Sequence, residues 1–110
     1  MTNERKEALR AYKGQATVRG IFSIRCNATG DVWIGSAANL GSARNAAWFL
    51  LRYGRQRNLP LQNAWNTHGE QSFQFSVVEE LDADLPPLLI DNALKKQKGD
   101  WASRLGATAL

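Results

Sequence analysis

The stretch that decides the fold is "LQNAWNTHGEQSFQFSVVEEL", residues Leu61–Leu81. It opens on helical spacing, with Leu61, Ala64 and Trp65 sharing a side behind Pro60, a residue suited to a first helical turn. Gly69 closes that pattern. The period then changes to two, which puts Phe73, Phe75 and Val77 on one face of a strand. A short helix thus feeds an aromatic strand across a single glycine turn.

Upstream, "RGIFSIRC" alternates: Phe22, Ile24 and Cys26 share one face, Ser23 and Arg25 the other. "NATGD" supplies turn chemistry, with Asn27 and Gly30 able to take positive φ. "GDVWIGSAANL" follows, so residues 19–36 predict a β-hairpin with Val32 and Ile34 on one side and Trp33 on the other. Asn39 is placed to cap a helix whose Ala43, Ala46, Ala47 and Leu50 fall at i, i+3, i+4 and i+7, running to Tyr53 and stopping at Gly54. Downstream of the deciding stretch, "DADLPP" breaks the chain. Pro86 and Pro87 open a last helix through Leu88, Leu89, Ala93 and Leu94. Gly99 costs that helix roughly 1 kcal/mol relative to alanine, predicting an end or bend before Trp101 and Leu105 pack a final turn. Residues 3–13, with Ala8, Leu9 and Tyr12 behind Asn3, predict a leading helix.

The order is α-β-β-α-α-β-α: an α+β domain with a small three-stranded, mainly antiparallel sheet and helices packed on it. The expected divisions are an N-terminal helix or extension over 1–18, the domain over 19–105 and a tail over 106–110.

A chain of 110 residues has room for one core. No apolar run reaches the ~20 residues that span a bilayer, and the charged start lacks the apolar core of a signal peptide. Cys26 has no disulfide partner, and with His68 alone it is too little for a structural zinc site. A cytoplasmic setting with no membrane partner is expected. The net charge of +4 permits phosphate binding without requiring it. Its distribution is more informative, because Arg52, Arg55 and Arg57 cluster in "LLRYGRQRN".

These words, in this order, resemble the GIY-YIG nuclease superfamily, in its homing-endonuclease-like branch. "GIF" (20–22), "WIG" (33–35) with "SAANL" after it, and the long 61–81 stretch carry the resemblance, which covers roughly residues 19–105. It implies the GIY-YIG fold and endonuclease chemistry dependent on Mg²⁺ or Mn²⁺. In-line attack on a phosphodiester needs a proton acceptor near the water, positive charge on the developing oxyanions and a metal held by hard oxygen. The resemblance implies that two motif tyrosines, a helix arginine and a glutamate on the last helix fill those needs.

Carried onto this chain, the first tyrosine position is Phe22, which lacks the hydroxyl. The second is Trp33, whose indole N–H only donates. The arginine position is Ala43. Arg44 stands next to it, turned by about 100° around a helix, and is a candidate phosphate ligand. The glutamate position falls at Asp91 or Asn92 by one count and at Lys98 by another, which leaves Asp91 as the candidate metal ligand. His68, the one histidine, reads as turn packing rather than a general base, because no carboxylate or nucleophile is patterned around it. Trp48, Phe49 and Trp65 read as core or domain-edge packing.

All four expected catalytic positions depart from the pattern, so enzymatic activity is left open. Three functions follow. The first is a nuclease-family domain with weak or lost cleavage that binds nucleic acid, DNA in branched or single-stranded form included. It would use Arg25, Arg44, Arg52, Arg55 and Arg57 on phosphates, with Trp33 stacking on a base or filling the old cleft. The second is an active metal-dependent endonuclease. The third is a protein-interaction domain with a closed cleft. The residues favour the first.

Overall fold

The computed structural model describes residues 18–110, so the leading helix expected over 3–13 lies outside the described residues. Strand β1 (Gly20–Cys26) and strand β2 (Val32–Ala37) form the antiparallel hairpin. The Cys26 carbonyl accepts the Gly30 N–H at 2.7 Å, and of the two turn residues only Gly30 takes positive φ, at 80°. Helix α1 (Leu40–Arg52) is capped by Asn39, whose Oδ1 accepts the Gly41 N–H at 2.9 Å. Helix α2 (Leu59–His68) is capped in the same way by Asn58, then a single 3₁₀ turn (Glu70–Ser72) leads into strand β3 (Phe73–Glu80). Helix α3 (Pro87–Leu105) closes at Gly106, which takes the left-handed conformation.

Strand β1 lies between β2 and β3 and pairs antiparallel with both. One element enlarges the expected sheet. Strand β4 (Thr108–Ala109) adds a fourth strand, parallel to β2, so the order is β3-β1-β2-β4 and the sheet is mixed. Two residues carry too little periodicity to read as a strand. What holds them is the outer edge of β2, together with the Leu110 N–H donated to the Ile34 carbonyl at 2.7 Å.

The last helix does not end at Gly99. It runs on for six residues, because Leu94 on one side of the glycine and Trp101 and Ala102 on the other pack against the sheet. That packing offsets a propensity cost of about 1 kcal/mol.

Alternation along β1 and β2 separates two cores. Ile21 and Ile34 face α3, meeting Ala102, Leu94 and Trp101. Phe22, Ile24, Cys26 and Trp33 face α1 and α2, meeting Leu40, Ala43, Ala47, Trp48, Leu51, Leu61 and Trp65. The second core is a chain of rings: Phe22 stacks on Phe75 at 5.0 Å, Phe75 meets Trp48, Trp48 meets Trp65, Trp65 meets Phe73, and Phe73 stacks on Trp33 at 6.5 Å. Each such pair adds about 0.5–1.5 kcal/mol beyond the area it buries.

Candidate functional site

Phe22 and Gly35 are opposite each other in the hairpin. A β-carbon built on Gly35 would overlap the Phe22 ring, so the glycine of "WIG" is there to let that ring lie flat across β2. Trp33 pairs opposite Ile24 and is 4% exposed, its ring on Phe73. Of the two roles open to it, stacking on an external base is inconsistent with this burial; it fills the interior. Ala43 projects from α1 into the same core. Phe22, Trp33 and Ala43, which the resemblance assigns to the catalytic site, thus converge in the fold, and the environment they make is apolar.

A pocket of about 200 Å³ opens beside them, lined by Phe22, Ile24, Ala37, Ala43, Ala46, Ala47 and Leu50, with Ser36, Gln56 and Leu110 at its margin. Among the side chains that line it Gln56 carries an amide, and there is no side-chain carboxylate. A hard divalent cation takes oxygen ligands, with at least one carboxylate in nuclease-type sites, so these residues do not fit Mg²⁺ or Mn²⁺. Among the described residues no group of three or more His, Cys, Asp and Glu could hold a metal ion. Asp91 is exposed on α3, whose buried side chains meet the opposite face of the sheet, and it does not line the pocket. Lys98, the alternative position for the glutamate, donates from Nζ to the Leu110 carbonyl at 2.7 Å and so helps hold the C-terminal segment.

The arginines separate. Arg44 is exposed, its guanidinium 5.5 Å from the centre of the Trp48 ring. Arg25 lies on the α3 side of the sheet, beside Ser23, Gln74 and Ser76. Arg52 makes a bidentate pair with Glu70, at 2.7 and 2.9 Å. That hydrogen-bonded pairing raises the Arg52 pKa above its ordinary value and holds the Glu70 carboxyl below the usual glutamate range. Arg55 and Arg57 remain together, lining an open depression of about 570 Å³ with Leu50, Gln56, Asn58, Ala109 and Leu110. His68 is exposed at the end of α2, where its carbonyl accepts the Ser72 hydroxyl. Trp48 and Trp65 are core, whereas Phe49 is 55% exposed and packs on Tyr53 at 4.7 Å.

The residue that sequence reasoning missed is Gln62, the one buried polar side chain among the described residues. Its amide donates to the Leu51 carbonyl at 3.0 Å and to Asn66 Oδ1 at 3.0 Å, while its Oε1 accepts the Gln56 N–H at 3.1 Å. Gln62 therefore fastens the end of α1 to the loop that carries Arg55 and Arg57. No local signal marks it, since a glutamine in a helix reads as surface.

Comparison with known proteins now adds one decisive likeness. The catalytic domain of the homing endonuclease I-TevI superposes with a TM-score of 0.70 at 22% identity, covering 84% of this chain and 97% of that domain. A form of the I-TevI catalytic domain with one glutamate replaced by alanine gives 0.69 at 22% identity, covering 81% and 84%. The chain has the fold of a GIY-YIG homing-endonuclease catalytic domain. No protein-family model matches the chain, and no curated protein matches it. The likeness spans sheet and helices alike, in agreement with the fold that the sequence resemblance implied. No helix among the described residues is long and apolar enough to cross a membrane.

Proposed function

We propose that this domain, nuclease-like in fold, binds nucleic acid and has lost phosphodiester hydrolysis. The observation that carries this reading is the apolar lining at the site the resemblance assigns to catalysis. Phe22, Ala43 and Ala47 offer a water molecule no proton acceptor, a developing oxyanion no cation and a metal no carboxylate. Binding rests on Arg55 and Arg57, held together on the loop that Gln62 secures, in a chain of net charge +4. DNA, single-stranded or branched, is the intended partner, and a cytoplasmic setting belongs to the same reading, since the single cysteine is free and buried.

Two assays test it. Supercoiled plasmid incubated with Mg²⁺ or Mn²⁺ is expected to stay intact; metal-dependent nicking abolished by Arg44→Ala overturns the loss of catalysis. Titration of single-stranded, duplex and branched DNA across a salt series is expected to show affinity that falls as salt rises. Absence of binding to all three favours instead a protein-interaction domain, a reading supported by the exposed Phe49, Leu50 and Tyr53 on α1.

A further inference from the structure

The pocket at Phe22 and the depression at Arg55 and Arg57 adjoin one another, with Leu50, Gln56 and Leu110 lining both. The inner part of this composite site is walled by alanines, with Phe22 and Ile24 at its base. Its outer part carries two guanidinium groups.

We infer that this composite site takes up one unpaired nucleobase, seated in the inner pocket among Ala37, Ala43, Ala46 and Ala47, with the flanking phosphates on Arg55 and Arg57. The inference rests on the nucleic-acid reading above and specifies which form of nucleic acid is bound and how.

Size is the first support. An apolar cavity of ~150 Å³ accepts a benzene ring, and the inner pocket measures about 200 Å³, room for a six-membered heterocycle. The space exists because Ala37, Ala43, Ala46 and Ala47 face it, where longer side chains would close it. Chemistry is the second. The alanine methyl groups and the exposed edge of Phe22 make an apolar wall against which a flat heterocycle loses contact with water, without regard to sequence. Gln56 at the margin offers an amide to a base edge.

The surroundings are the third support. Ala46 and Leu50 of α1 line the pocket, and Phe49, at i+3 from Ala46, packs beside them on Tyr53 at the helix C-cap. Phe49 is 55% and Tyr53 67% exposed, an apolar surface on which the neighbouring bases of a strand can stack. A paired base in a duplex is stacked on both faces and unavailable to such a pocket unless it is extruded. Single strands and bulged duplexes are therefore the ligands this geometry selects.

The test uses the full chain and a short oligonucleotide carrying 2-aminopurine, presented as a single strand, as a perfect duplex and as a duplex with the 2-aminopurine bulged. Single strand and bulge should bind at least about tenfold more tightly than the duplex, with a change in 2-aminopurine fluorescence, since burial of a ring-sized apolar group is worth roughly tenfold or more in affinity. Ala46→Leu narrows the pocket mouth from an exposed helix position, so the fold is retained. It should abolish the fluorescence change and remove the single-strand preference. Arg55→Ala with Arg57→Ala should flatten the slope of log affinity against log salt by about 1.4, the loss of two single-strand phosphate contacts. If Ala46→Leu binds the single strand as tightly as the parent, with the same fluorescence change, the pocket is not the base site and the inference falls while nucleic-acid binding stands. If none of the three forms binds at low salt, the nucleic-acid reading itself falls, and this inference with it.

Discussion

Replacing Gln62 by methionine tests the link between the fold and the arginine loop. Methionine keeps the length and volume of glutamine and adds no clash, so what is lost is the set of three hydrogen bonds to Leu51, Asn66 and Gln56. A net contribution of about 1 kcal/mol per bond would give ~3 kcal/mol. Two features trim and one restores that sum. The Leu51 carbonyl also accepts the Gly54 N–H at 3.2 Å, so it is not orphaned, and Asn66 is exposed and returns to water. The partly buried Gln56 N–H, by contrast, loses its acceptor and carries the ~1–3 kcal/mol penalty of an unmet donor. The expected loss is about 2–3 kcal/mol. With a urea slope of ~1.5 kcal/mol/M for a domain of this size, the midpoint should fall by about 1.3–2 M with the slope unchanged. Amide exchange should quicken over residues 53–58 beyond the global change. A midpoint shift below ~0.5 M would refute the assignment of Gln62 as the tie between α1 and the loop.

Gly35→Ala forces a β-carbon into the Phe22 ring and should cost about 1–3 kcal/mol by overpacking; the same change with Phe22→Leu, measured by thermal melting, should recover part of it. Glu70 has a depressed carboxyl pKa, so its pairing with Arg52 contributes stability above the ordinary glutamate range and loses it as pH falls through the depressed value. Urea midpoints of the parent and of Arg52→Ala should therefore converge in acid, and the Glu70 carboxyl, followed by NMR, should titrate at higher pH in that variant. Lys98→Met removes the contact to the Leu110 carbonyl, and exchange of the Leu110 amide should accelerate with little change in global stability. Chelation of divalent metal is expected to leave nucleic-acid affinity unchanged, read by fluorescence anisotropy with and without EDTA.

The two faces of the hairpin, the caps at Asn39 and Asn58 and the helix-to-strand passage at Gly69 were legible in the sequence because each is written in local periodicity and cap chemistry. Strand β4 was not, since two residues form a strand only where an edge already waits for them. Helix α3 passing through Gly99 was not, since its stability comes from the sheet beneath it.

The candidate site divides in the same way. That a phenyl, an indole and a methyl stand at Phe22, Trp33 and Ala43, the positions the resemblance gives to two tyrosines and an arginine, is read from the residues alone. Which way Trp33 faces outside its own strand was open, and the ring chain through Phe73 and Trp65 settles it as interior. The arginines looked alike as a run of charges. Folding turned Arg52 toward Glu70, put Arg25 on the far side of the sheet and left Arg55 and Arg57 together beside an apolar pocket. By itself the sequence determined the α+β architecture, a property of residue type and spacing. Only tertiary structure decided which charges share a surface and where a cavity remains, because both depend on side chains brought together from separate elements.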